Sequence, residues 1–144
     1  NIKPMTPALK LCLACSGIFL LTGMLAGVVK YRFMMASPTH RAPVYINIAH
    51  RAAMLYSVAA LVMAELLRYN PYPASFQAVI AGIPLFCFAV ALVQYLRLGF
   101  QNTTDNQFSK RTLTTTWGMY ALIAGEIGGV AAILWGFLQT QFFA

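Results

Sequence analysis

Apolar residues dominate four stretches of the chain, at about residues 7–34, 45–68, 73–100 and 112–142, and polar residues gather between them. A membrane-crossing helix needs about 20 mostly apolar residues, so each stretch predicts one. The links, 36–44, 69–72 and 101–111, are too short to hold a separate soluble domain. Short links between successive spans favour antiparallel neighbours. The expected fold is therefore all-α: an integral membrane four-helix up-down bundle, in one transmembrane domain. The first stretch is too long for a signal-peptide core and no small-residue cleavage site follows it, so it reads as a retained helix. The chain starts at Asn1, not Met, and processing or missing residues before it are expected.

Composition narrows the class. Of 144 residues, 60% are apolar and 9% charged, and the mean hydropathy is +0.68. Average globular chains are about one quarter charged. A soluble domain of this length could not bury so much apolar surface, and disordered chains are polar. Ten Gly, three acids and three Cys also exclude collagen, coiled coils and disulfide scaffolds.

The formal charge of +7 is unevenly placed. Lys30, Arg32, Arg41, Arg51, Arg97, Lys110 and Arg111 fall on one side of the four spans, and Lys3, Lys10 and Arg68 on the other. The positive-inside rule puts the larger group in the cytoplasm and both termini on the non-cytoplasmic side. The charge is thus an orientation signal with an attraction for anionic lipid heads, not a nucleic-acid signature.

Small residues recur at helical spacing. Gly23 and Gly27 lie in the first span. Ala121, Gly125 and Gly129 form one ridge of the fourth, and Gly128, Ala132 and Gly136 another. Such ridges let helices approach closely where lipid supplies no hydrophobic drive. Packing within the chain is the simpler use, and packing on a partner chain or a second copy the alternative. Pro84 is expected to bend the third span, because it removes one backbone donor.

Polar residues at membrane depth carry the candidate chemistry. Glu126 has no Lys, Arg or Asp within ten residues. A carboxyl at that depth is costly to ionise, so it is expected to be neutral or paired, as a proton relay, a ligand contact or a structural acid. Glu65 and Arg68, three residues apart, are expected to pair near an interface. Asn47, His50, Met54, Ser57, Leu61, Ala64 and Arg68 make a seam along one face of the second span, expected to look into the bundle. Before it lies the densest polar cluster, Lys30-Tyr31-Arg32 and Ser37 to Pro43, which includes His40 and Arg41 and leads to Asn47, His50 and Arg51. Arginine forks suit phosphate or carboxylate oxygens. His40, Arg41, Asn47, His50, Arg51 and Glu126 are therefore the candidate ligand-binding residues.

Other chemistries are weaker. His40 and His50 invite a haem b reading with His50 as axial ligand, but they are not on two facing helices, and no Cys, Asp or Glu near them completes a metal set. No metal site and no catalytic residue is assigned. Cys12 and Cys15 form a CxxC inside an apolar run, where packing thiols are more usual than a redox pair. No phosphate loop, zinc motif or serine nucleophile is present.

Three segments bear a resemblance: Ala42 to Ala52 (APVYINIAHRA) with the preceding Lys30-Tyr31-Arg32 and the following Leu55-Tyr56-Ser57, Thr104 to Phe108 (TDNQF), and Ala124 to Gly129 (AGEIGG). Together they resemble a group of small four-span bacterial inner-membrane proteins. The resemblance implies a multi-pass protein of the bacterial inner membrane and brings no activity with it. A looser similarity is to the four-helix glutathione- and eicosanoid-metabolising membrane enzymes, whose second helix carries an Arg-Ala…Asn…Glu pattern. Arg51-Ala52 fits it, but Leu55 and Val58 stand where the Asn and Glu would be, so glutathione binding is not carried over.

Three functions are expected, in this order. The first is an accessory or assembly subunit of a larger inner-membrane complex, packing through its glycine faces. The second is a protein that binds or transports an amphipathic anion or quinone-like ligand at the basic corner, with Glu126 deeper. The third is a haem protein using His50. Membrane lipids are expected partners in each.

Overall fold

The computed structural model describes residues 5–143, and its regular structure is helical throughout. Helix α1 runs Pro7–Ala36, α2 Val44–Arg68, α3 Ala74–Gln101 and α4 Met119–Gln141. A short 3-10 turn, Gln107–Ser109, and a π turn, Thr114–Gly118, lie between α3 and α4. The four helices are long and apolar enough to cross a membrane, α4 counted together with its π turn.

Local chemistry sets the helix ends. The Leu9 N–H donates to the Thr6 hydroxyl at 3.3 Å, and Pro7 occupies the first turn, where its missing donor costs nothing. Pro43 and Pro73 stand one place earlier, as the N-cap residues of α2 and α3, and their carbonyls accept the Asn47 and Gln77 N–H. Asn102 ends α3 in the left-handed region at φ 48°, its N–H returning to the Leu98 carbonyl at 2.9 Å.

The hairpins are antiparallel, as their side chains show. Between α1 and α2, Ser16 Oγ donates to the Ser57 carbonyl at 2.8 Å, and Gly23 lies against Met54. Between α2 and α3, the Tyr45 ring lies over Tyr95 and the Tyr56 ring over Phe88. Gly99 receives Ile46 so closely that a Cβ there would stand 2.7 Å from the Ile46 nitrogen. Helices α1, α2 and α3 thus close a shared core containing Cys12, Ile46 and Met63.

Helix α4 is held differently. Its buried residues are Gly129, Ile133 and Gly136, from about its midpoint onward, where it lies on α3 and on the α2–α3 turn. The Asn70 amide donates to the Ile133 carbonyl at 3.1 Å and accepts the Tyr72 N–H at 3.1 Å. Gln77 Nε2 donates to the Asn70 and Tyr72 carbonyls, which fixes the turn. The Tyr72 hydroxyl reaches Gln139 at 3.3 Å.

The seven basic residues grouped by sequence occupy one end, with the α1–α2 and α3–α4 connections. Lys10 and Arg68 lie at the other, and Lys3 falls outside the described residues. Arg68 Nε pairs with Glu65 Oε2 at 2.8 Å on an exposed face, as their spacing leads one to expect.

Candidate functional site

A cavity lies beside the less buried first half of α4. None of the α4 residues before Gly129 is buried, and the gap left beside α3 and α2 has a volume of about 730 Å³. That is the size of a site for a drug-sized molecule. Tyr56 contributes from α2, Cys87, Ala91, Gln94 and Tyr95 from α3, and Ala121, Leu122 and Glu126 from α4. Arg97, Gln107, Phe108, Thr114 and Thr115 form its mouth at the basic end. Phe86, Val90, Val93 and Ile123 line it and are also exposed on the outer face, so the cavity opens sideways between α3 and α4.

Its two tyrosines are held by their neighbours. The Tyr56 ring is stacked on Phe88, centroids 4.4 Å apart and planes within 10°. The Tyr95 ring is stacked on Tyr45 at 6.2 Å and 26°. The Tyr45 hydroxyl accepts the Gln107 N–H at 2.7 Å, which ties the α3–α4 connection to α2 beside the mouth. The Gly118 N–H closes the π turn on the Leu113 carbonyl at 3.0 Å, and Thr112 and Thr116 brace it at 2.6 Å. Glu126, half-buried, forms no ion pair or hydrogen bond with the described residues. Ten residues of α3 separate Cys87, at the depth of Glu126, from Arg97 at the mouth, about 15 Å of helix rise.

The residues singled out by sequence do not converge. His50 Nδ1–H donates to the Gly23 carbonyl at 2.7 Å, and its ring fills the notch at Gly27. The carbonyl can only accept, so the proton sits on Nδ1. The face carrying His50, Met54 and Ser57 is therefore the α1 seam, and the cavity lies on another side of α2. Arg51, His40 and Arg41 are exposed, His40 with φ 53° in the connection. Asn47 Oδ1 is buried without a partner among the described residues. Of the six, Glu126 alone lines the cavity.

The small-residue ridges divide too. Gly23 and Gly27 receive α2 side chains, Gly125 meets Cys87 and Ile83, and Gly129 meets Pro84. Ala121 lines the cavity, and Gly128 faces open space. Cys12, Cys15 and Cys87 are free thiols. Among the described residues no three His, Cys, Asp or Glu side chains gather in a way that could hold a metal ion.

From the sequence alone Tyr56, Gln94 and Tyr95 carry no site role and Arg97 only an orienting one. The signal was there for two of them: Gln94-Tyr95 interrupts an otherwise apolar run. Compared with known proteins, the chain matches no family model, no curated protein and no solved structure.

Proposed function

We propose that this chain is a multi-pass protein of the bacterial inner membrane, basic end in the cytoplasm, that binds a small amphipathic molecule between α3 and α4. The cavity of about 730 Å³ carries this reading. Its walls are mainly apolar, the Tyr56 and Tyr95 rings in them are preset by stacking, and its side opening faces where lipid would lie. A lipid-soluble molecule can enter there without crossing water. The orientation rests on the seven-to-three division of Lys and Arg.

Native mass spectrometry from lipid nanodiscs tests the reading, with a panel of neutral, anionic and cationic amphiphiles. One molecule should be retained per chain, and Ala121→Phe, which fills the cavity from α4, should release it. Retention of nothing by the unaltered protein, or equal retention by Ala121→Phe, overturns the reading.

A second reading, the accessory subunit, is favoured by one observation. Ala124, Gly128 and Ala131 form an exposed small-residue ridge on α4 that none of the described residues covers. Such ridges serve close helix contact in membranes. Native electrophoresis of gently extracted membranes would place the protein with a stoichiometric partner if this reading holds, and alone if it does not.

A further inference from the structure

Resting on the ligand-binding reading, we infer that the cavity takes a lipophilic organic cation, which occupies Glu126 in exchange for a proton.

The argument starts from charge balance. An ionised carboxylate in an apolar, membrane-depth wall is costly without a countercharge. The described residues supply none beside Glu126: it has no ion pair among them, and Arg97 sits about 15 Å of helix away at the mouth. Two states then satisfy the carboxyl. It holds a proton when the cavity carries no cation, or it stands ionised against a cationic guest. In the exchange, the carboxyl O–H bond breaks, the proton leaves to solvent, and the carboxylate takes the positive charge of the guest, so charge balances on both sides.

The other walls suit such a guest. Aromatic rings attract cations through their faces, more strongly when water is excluded. Tyr56 and Tyr95 lie in the wall, each ring fixed by a stacked neighbour, so little ordering is needed on binding. Ala91, Leu122 and Val90 provide the apolar surface for the rest of the molecule. An anionic amphiphile meets the opposite situation, since at depth it faces a carboxyl with no cation to offset either charge.

Proton exchange makes binding depend on pH, and the groups facing Glu126 are few. They are Tyr56 from α2, and Cys87 and Tyr95 from α3, with Arg97 further out; the connection contributes Gln107, Phe108, Thr114 and Thr115. Phenol and thiol groups are neutral at ordinary pH, so Glu126 is the group whose charge changes.

Tetraphenylphosphonium is a suitable probe, because its charge is fixed and any pH effect must come from the protein. Decylubiquinone serves as the neutral probe. Calorimetric titrations in mild detergent, run in two buffers of different ionisation enthalpy, count the protons released. The expected result is one proton released per cation bound, with affinity falling up to about tenfold per pH unit below the point where Glu126 ionises. Glu126→Gln should weaken cation binding at least about tenfold and abolish its pH dependence, while keeping the neutral probe. Glu126→Asp should retain both effects. Cation binding that survives Glu126→Gln unchanged, or that releases no proton, overturns the inference. Binding of decylubiquinone but not the cation by the unaltered protein overturns it too and leaves the ligand-binding reading standing. Binding of neither probe, in a protein that also retains no amphiphile from nanodiscs, removes both.

Discussion

Pro84 of α3 is seated in the notch that Gly129 leaves on α4. A Cβ at residue 129 would stand 2.6 Å from Pro84 Cδ and 2.7 Å from the Ile80 carbonyl oxygen. The two contacts share one cause. Proline at 84 has no N–H for the carbonyl four residues back, which is that of Ile80. The freed oxygen turns toward Gly129, where a Cα–H can approach it. The proline that weakens α3 thereby makes the seat for α4.

Gly129→Ala should therefore loosen α4, by about 1–3 kcal/mol, because backbone and a proline ring cannot yield. Gly128→Ala is the matched control. Its Cβ would meet open space, and alanine is the better helix former by about 1 kcal/mol. Unfolding in detergent–SDS mixtures should show a large loss for the first and none for the second. Equal effects would mean that α4 does not dock through residue 129.

His50 belongs to the α1–α2 seam. Its Nδ1–H bond to the Gly23 carbonyl and its fit against Gly27 join two helices whose other cross-link is the Ser16–Ser57 bond. His50→Ala removes the bond and leaves a void, for a loss of about 2–4 kcal/mol. Binding of any probe in the α3–α4 cavity should stay within about twofold, since no atom of His50 lines it. A large loss of binding with stability intact would move His50 back to the ligand site.

Asn70 acts from both ends of its amide. Its nitrogen donates to the Ile133 carbonyl and its oxygen accepts the Tyr72 N–H. Asn70→Ala should cost about 1–3 kcal/mol, the penalty of unpaired groups in a half-buried place. Asn70→Asp keeps the acceptor and loses the donor, so it should release α4 while the α2–α3 turn stays formed. Cysteines placed on α4 and on the turn would register this as slower cross-linking. Equal cross-linking in both variants and the unaltered protein would show that the amide does not hold α4.

The helices were legible in the sequence because a hydropathy run is one-dimensional: length and composition suffice to find it. The Glu65–Arg68 pair and the inward roles of Gly125 and Gly129 were legible for a similar reason, since helical spacing fixes them locally. Which helix faces which was not. His50 and Tyr56 lie six residues apart on α2: His50 bonds to α1, whereas Tyr56, edge-on to Phe19 of α1, stacks on Phe88 of α3 and lines the cavity. Nothing in the run of residues says that α4 is buried only from Gly129 onward, because that depends on Asn70 and Pro84, which come from two other segments. Grouping His50 and Arg51 with Glu126 by shared polarity therefore joined residues that the packing separates.

The anchoring of α4 at one end has a measurable consequence in its backbone. Local opening follows burial and the hydrogen bonds that hold a segment to its neighbours. Gly129, Ile133 and Gly136 are buried, whereas the first half rests on the π turn and the cavity. Amide exchange in nanodiscs, read by mass spectrometry, should thus be faster over residues 114–127 than over 129–140. The mouth depends further on Tyr45, whose hydroxyl accepts the Gln107 N–H at 2.7 Å. Tyr45→Phe deletes that oxygen and keeps the ring that stacks on Tyr95, so the aromatic packing survives. Exchange should rise over residues 103–113 with a stability loss of only about 1 kcal/mol. A guest in the cavity should slow exchange in the first half of α4 and leave the second half unchanged. Uniform exchange along α4 in the free protein would mean that its two halves are held alike.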